Sequence, residues 1–322
     1  MAVAKLVKEN KNEHQFSFEV LPPLKGAGTE GLFRSIAKLC ELNPAFINIT
    51  THHSEFVYRE LGDGRFERQR VRLRPGTIAV AAAIQQRFQV PVQPHIICSG
   101  VTIEDIEYEL LDLQFLGITD LLLLRGDKAK DDRMFIPTPG GHAHTTDLIR
   151  QVQRFNEGFF ADGSPIKNPG PKFDIGVACY PEKHEEAPNL ERDIQYLLEK
   201  QQLGAQYAVT QLFYDNEKYF SFVEKARQMG ITIPIIPGIK PMAKLNQLTV
   251  VPRTFHCDIP EPLAREIVKC QTDEDARQLG IEWTIQQCRE LYEHGVNDIH
   301  FYTMGAVESV VEIVKELKRN SL

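Results

Sequence analysis

No run of apolar residues approaches the roughly 20 that a membrane-spanning helix needs, so no membrane partner is expected. The stretch before Gln15 is polar and lacks the apolar centre of a secretory signal, which points to a cytoplasmic protein. Cysteine is sparse: six residues, at 40, 98, 179, 257, 270 and 288, with no CxxC pair. That pattern excludes a disulfide framework and a structural zinc site, and the thiols are expected to be reduced. Basic charge is not in excess, since 37 Lys and Arg stand against 44 Asp and Glu for a net charge of −7. A nucleic-acid partner is therefore not expected. The one basic stretch, Arg65 to Arg74, is broken by Phe66, Glu67, Val71 and Leu73 and reads as a solvated loop face. There is no G-x-S-x-G elbow and no Walker loop, which removes serine-nucleophile and P-loop phosphoryl chemistry. His52-His53 and His184-Glu185-Glu186 lack the i, i+4 histidine spacing of a zinc protease, so no metal is expected.

What the sequence has is alternation. Short β-like apolar runs are each followed by a segment of helical period. The runs are Phe16–Leu21, Ala45–Thr50, Val92–Cys98, Asp120–Leu124, Asp174–Tyr180, Tyr207–Phe213, Pro234–Ile239 and Asp298–Thr303. The four leucines after Asp120 suit a strand buried on both faces. Thr102, with Asp105 three residues on, marks a helix start. Eight strand–helix units in series predict a parallel sheet closed as a TIM (β/α)8 barrel, one domain over 1–322. Residues 1–14 form a flexible or helical extension, and 51–75 a long polar loop. A doubly wound open sheet uses the same local pattern and is the alternative. In a barrel, function sits at the C-terminal strand ends.

Three motifs stand out by themselves. Gly26-Ala27-Gly28-Thr29-Glu30-Gly31 matches G-x-G-x-x-G, but Pro22-Pro23-Leu24-Lys25 separates it from its strand, and Thr50 stands where a ribose-binding acid belongs. It is not read as a dinucleotide site. Glu19 is a carboxylate inside an apolar strand; burial would raise its pKa and make it a proton donor, or a salt bridge would satisfy it. Arg125-Gly126-Asp127 ends the fourth strand, where glycine admits a ligand close to the backbone between a cation and an anion.

Taken together, the strand blocks resemble methylenetetrahydrofolate reductases. Phe16-Ser17-Phe18-Glu19-Val20-Leu21-Pro22-Pro23 resembles the family's FEFFPP, and Pro94-His95-Ile96-Ile97-Cys98 its third strand. Leu124-Arg125-Gly126-Asp127 resembles LRGD, Tyr180-Pro181-Glu182-Lys183-His184 resembles YPExH, and Thr210-Gln211-Leu212-Phe213-Tyr214-Asp215 resembles TQFFFD. Ile235-Ile236-Pro237-Gly238-Ile239 and His300-Phe301-Tyr302-Thr303 resemble IIPGI and HFYT. The seven blocks run in order through nearly the whole chain, and the length resembles the short bacterial form. The resemblance implies a TIM barrel that binds FAD, uses NADH or NADPH, and reduces 5,10-methylenetetrahydrofolate to 5-methyltetrahydrofolate for methionine synthesis, as a homo-oligomer. It implies Glu19 as general acid and Asp127 as the charge beside flavin and folate. Thr50, His95, Arg125, Gly126, Asp127, Tyr180, His184, Asp193 and Lys200 would line the FAD site. Gln211, Gln247 and Asp127 would contact folate.

The sequence departs from the family in places. Met304 and its neighbours replace an arginine that in the family meets the folate glutamyl tail, so that contact is either missing or supplied elsewhere, by Lys240 or Lys244. Thr249-Val250-Val251 replaces an aromatic, and the 51–75 segment beside the FAD site is long. These departures keep open another flavin-dependent barrel oxidoreductase, proline dehydrogenase-like or acting on a different pterin. A non-catalytic barrel subunit is the other alternative, which intact Glu19 and Asp127 oppose.

Overall fold

In chain order β1 (Gln15–Val20) and β2 (Ile47–Ile49) are followed by a hairpin, β3 (Glu55–Glu60) and β4 (Phe66–Val71). Then come β5 (Val92–Ile97), β6 (Asp120–Leu124), β7 (Asp174–Cys179), β8 (Tyr207–Thr210), β9 (Ile235–Ile236), β10 (Gly238–Ile239) and β11 (Asp298–Tyr302). The computed structural model describes residues 3–9, 13–52, 54–128, 132 and 134–319; His53 lies outside the described residues. Nine strands hydrogen-bond in the order β10-β11-β1-β2-β5-β6-β7-β8-β9. β9 and β10 are two halves of one stretch parted by Pro237, which has no N–H to give. The first half pairs with β8 (Val209↔Ile236) and the second with β11 (Gly238↔His300). The Pro237 carbonyl still accepts from the His300 N–H at 3.0 Å. The ring closes through residues 235–239, which decides for the barrel over the open sheet.

The helices cover the outside of this ring. β5 is buried along its whole length, as a parallel strand with helices on one side and the barrel interior on the other must be. α2 (Glu30–Cys40), α3 (Thr77–Phe88), α4 (Ile103–Phe115), α5 (Thr145–Asn156), α6 (Leu190–Gln202) and α7 (Asn216–Gln228) follow their strands. The Thr102 hydroxyl and Asp105 carboxylate form a reciprocal capping box that starts α4, and Ile106, Leu110 and Leu113 make its buried face. Between β10 and β11 the chain forms α8 (Gln247–Phe255), α9 (Glu261–Lys269) and α10 (Asp273–Glu293), and α11 (Val307–Arg319) ends the fold. Among the described residues no helix is long and apolar enough to cross a membrane.

Two segments differ from or sharpen the sequence reading. The 51–75 segment is not a loop but an antiparallel ribbon, with Tyr58 opposite Arg68 and Glu60 opposite Phe66. Charged residues on both faces of its strands hide it from the sequence pattern, and the turn uses Gly62 and Gly64 at φ of 84° and 77°. The N-terminal extension is helical: α1 (Val3–Glu9) closes the bottom of the barrel. Val3, Ala4 and Val7 pack against Phe46, Leu122, Tyr207, Val209 and Ile236. The Val3 N–H donates to the Asp120 carboxylate at 2.6 Å. Val7→Asp places a charge in this apolar plug, where Val7 is 5% exposed. A loss of about 3 kcal/mol is expected. Urea denaturation followed by circular dichroism measures it, and an unchanged midpoint would refute the plug.

Candidate active site at the strand tips

Along β1, Phe16, Phe18 and Val20 enter the core beneath the helices. Alternation therefore turns Ser17 and Glu19 into the barrel. Glu19 is only 9% exposed. On β5, Ile96 faces the helices and His95 faces inward, so that His95 Nε2 lies 3.6 Å from Glu19 Oε2. Burial pushes the Glu19 carboxyl up to about 8 and, with the nearby His52, drops the His95 imidazole to about 3. At neutral pH the two therefore meet as neutral acid and neutral imidazole, not as an ion pair. Among the described residues His95 Nε2 has no hydrogen-bond partner. The strand carrying Glu19 is fixed from behind by the Thr303 hydroxyl, which donates to the Glu19 carbonyl at 2.6 Å. Thr50, at the end of β2, bonds His52 at 3.1 Å.

The tip of β6 is clamped to the end of β5. Backbone N–H groups of Cys98 and Ser99 donate to the Arg125 carbonyl at 3.1 and 3.0 Å, and the Ser99 hydroxyl to the Asp127 carbonyl at 3.0 Å. Gly126 sits at φ +83°, and a Cβ there would fall 2.9 Å from Ser99 Cβ. Only glycine fits this turn. The Arg125 guanidinium pairs with Glu186 and lies 4.6 Å from the Phe135 ring centre. Asp127 is exposed at the tip, and its charge reaches Tyr180.

The end of β7 supplies the facing wall. Tyr180 meets His184 edge-on, with ring centres 4.8 Å apart. Burial raises the Tyr180 phenol and lowers the His184 imidazole. The His184 N–H donates to the Asp193 carboxylate of α6 at 2.8 Å. Two turns on, Lys200 reaches back to the Ala178 carbonyl at 2.9 Å. Burial raises Asp193 and lowers Lys200, and the attraction between them opposes both shifts. Tyr302 lies within electrostatic reach of Glu19 and of Tyr180, and so links the two walls.

Gln211, beyond β8, is held by its N–H on the Cys179 carbonyl at 2.8 Å. Gln247 opens α8, with its side-chain carbonyl accepting from Ala243 and Lys244 N–H at 2.7 and 3.1 Å. The expected stand-ins for the missing arginine do not present themselves equally. Lys240 is 3% exposed and donates to the Pro241 carbonyl at 3.3 Å, and burial drops it to about 8. Lys244 is exposed at the start of α8. Sequence reasoning missed three positioning residues. Glu186 holds Arg125 from 61 residues away. Ser99 clamps the Arg-Gly-Asp tip, and Tyr302 braces β8 through the Thr210 carbonyl at 2.7 Å. None has a local sequence signal, because each acts on a different strand.

These residues fit an anionic dinucleotide such as FAD. Gly126 lets the tip turn at φ +83° so that Arg125 and Asp127 flank it, the His95 Nε2 with no partner among the described residues faces the interior, and Arg125 and Lys200 carry positive charge.

Comparison with known proteins identifies the family and the fold. The family model for methylenetetrahydrofolate reductase matches residues 4–318. Methylenetetrahydrofolate reductase (NADH) 1 of Arabidopsis thaliana is 31% identical over 94% of this chain and 48% of its own length. The 5,10-methylenetetrahydrofolate reductase of Escherichia coli is 28% identical over 95% of this chain and 92% of its own. The chain thus spans about half the length of the plant relative and most of the bacterial one. A solved structure of a Clostridium thermocellum protein that binds two copies of 5-methyl-5,6,7,8-tetrahydrofolic acid shares the fold. It has a TM-score of 0.62 and 14% identity, over 98% of both chains. With the family model covering almost every residue, the chain belongs to the methylenetetrahydrofolate reductase family.

Proposed function

We propose that this chain reduces 5,10-methylenetetrahydrofolate to 5-methyltetrahydrofolate in the cytoplasm, feeding methionine synthesis, with bound FAD and with NADH or NADPH as donor. The observation that carries the reading is Glu19: a buried carboxyl at the mouth of the barrel that keeps its proton up to a pH of about 8. The substrate's five-membered ring opens when its C–N10 bond breaks, and N10 then needs a proton. Glu19 holds that proton at neutral pH, and His95 beside it is neutral and does not compete as an acid. Opening leaves a cationic N5-methylene iminium on the folate. The Asp127 carboxylate favours that cation. FAD, when bound, carries the hydride between nicotinamide and folate. Arg125 and Lys200 would meet its pyrophosphate, while Thr50, His95, Gly126, Tyr180, His184 and Asp193 would shape the rest of its bed. Gln211 and the Gln247 amide contact the folate. One cleft serves both partners in turn, so donor product leaves before folate binds.

Anaerobic reduction by NADH or NADPH, followed by addition of methylenetetrahydrofolate, tests the whole reading. The purified protein is expected to be yellow, to bleach with one or both nucleotides, and to recover its colour with the folate. Absence of flavin from the denatured, fully loaded protein, or no recovery with folate, refutes it.

A further inference from the structure

The β3–β4 ribbon is unexplained by the chemistry at the strand tips. Its two strands pair with each other and with no barrel strand. Two strands paired only with each other bury little surface between them and are marginally stable in water. Its foot is nonetheless well anchored. Arg74 donates to the Pro22 carbonyl, the Lys25 N–H donates to the Leu73 carbonyl at 2.7 Å, and the Thr51 hydroxyl donates to Thr77 at 2.7 Å. Above that foot Tyr58 and Phe66 are 65% and 63% exposed, and the register puts them on one face with Arg68 and Glu60. Residues 55–74 carry six arginines against four carboxylates in a chain of net charge −7.

A surface with the opposite character lies on α4. The helix has no basic residue and five carboxylates, of which Glu104, Asp105 and Asp112 are exposed and Glu107 and Glu109 half-buried. Its outward stripe is apolar: Tyr108, Leu111 and Phe115 fall at i, i+3 and i+7, and Tyr108 and Phe115 are 70% and 92% exposed. An apolar stripe of this kind at a helix surface marks a contact site. Arg72, at the foot of the ribbon, lies within electrostatic reach of Glu109 of the same chain. Ribbon and α4 therefore stand on neighbouring sides of the barrel. The ribbon nevertheless leaves the α4 stripe of its own chain uncovered.

We propose that the ribbon is an arm that packs its Tyr58–Phe66 face onto the α4 stripe of a second copy of this chain. Because arm and stripe are neighbours, a two-fold axis lets each copy give its arm and receive the other's, which closes the assembly as a dimer. Aromatic side chains of the arm cover Tyr108 and Phe115, and its arginines face the α4 carboxylates. The arrangement is independent of the reaction.

Sedimentation of the full-length, flavin-loaded protein tests the contact. The unaltered protein is expected to be a dimer or a multiple of one at micromolar concentration. Phe66→Glu and Phe115→Glu are each expected to weaken association by about tenfold or more, while Val268→Glu, an equally exposed position on α9, leaves it unchanged. Circular dichroism and flavin content check that each variant folds. Single Tyr58→Cys and Phe115→Cys proteins, mixed and oxidised, are expected to give a cross-linked pair that neither gives alone. A monomeric unaltered protein, an assembly indifferent to both glutamates, or no cross-link specific to the mixture overturns the proposal.

Discussion

Glu19→Gln is expected to abolish folate reduction and at the same time to stabilise the fold. The amide keeps the shape of the side chain but cannot release a proton to the opening ring. Reoxidation of reduced flavin by methylenetetrahydrofolate should fall by about 10³-fold. Flavin reduction by the nicotinamide nucleotide, which needs no acid at N10, should be largely unchanged in stopped-flow traces. Equal loss in both halves would mean that Glu19 positions the flavin and does not act on folate. The stability effect follows from the same burial. The folded carboxyl titrates at about 8 against an ordinary value of 4.5. Between those values the unfolded chain releases a proton that the folded chain keeps, so stability falls as pH rises through that window and levels off above it. Glutamine removes the penalty. Its advantage should be near zero below pH 4.5, on the order of 3 kcal/mol at pH 7 and largest above pH 8. Denaturant midpoints across that range measure it, and a constant difference would remove the desolvation argument.

The buried histidines shift the balance the other way in acid. Burial lowers both His95 and His300 to about 3. Below their ordinary value of 6.5 the unfolded chain takes up protons that the folded chain refuses, and stability is lost as pH falls. Fold stability is thus squeezed between the histidines at low pH and Glu19 at high pH.

How much of this was legible in the sequence depends on how each element is held. The barrel strands were readable because they are buried on both sides and must be apolar throughout, as in Leu121-Leu122-Leu123. The start of α4 was readable because its cap is local, Thr102 with Asp105. Glu19 stood out as a carboxylate inside an apolar strand, which left a proton donor or a salt bridge open, and the structure shows it buried beside a neutral His95. Most of the other candidate residues came from the resemblance, since no local pattern marks them. The ribbon was not readable, because Arg and Glu occupy positions that an ordinary strand gives to apolar residues, and its pairing partner is itself. The ring-closing strand looked like one element, and only the lattice of hydrogen bonds shows Pro237 dividing it between two neighbours. The Arg125–Glu186 pair joins different strand tips, so no spacing in the sequence could announce it.

Lys200→Met is expected to separate cofactor affinity from fold stability. Lys200 lies on the inner face of α6, donates to the Ala178 carbonyl at 2.9 Å and faces Asp193. Its ammonium is costly to bury, as its lowered pKa records. One hydrogen bond to a backbone carbonyl and one nearby carboxylate offset only part of that cost. Methionine fills the same volume without the charge, so the flavin-free protein should be no less stable than the unaltered one. On the proposed reading Lys200 gives the FAD pyrophosphate a charged hydrogen bond, a contact that contributes about 1.5–3 kcal/mol, so FAD affinity should fall by about 10- to 100-fold. Titration of flavin-free protein with FAD, read by flavin fluorescence, measures this. Lys172→Met, on the exposed loop before β7, should leave affinity unchanged. Raising the salt concentration should weaken FAD binding to the unaltered protein and change it less in Lys200→Met, because a fixed cation has been removed. If affinity is unchanged while stability falls, Lys200 serves the α6–β7 packing, and Arg125 alone carries the anion. A joint fall in affinity and in salt sensitivity, at unchanged stability, places the charge of an acidic protein's anion site on this one buried amine.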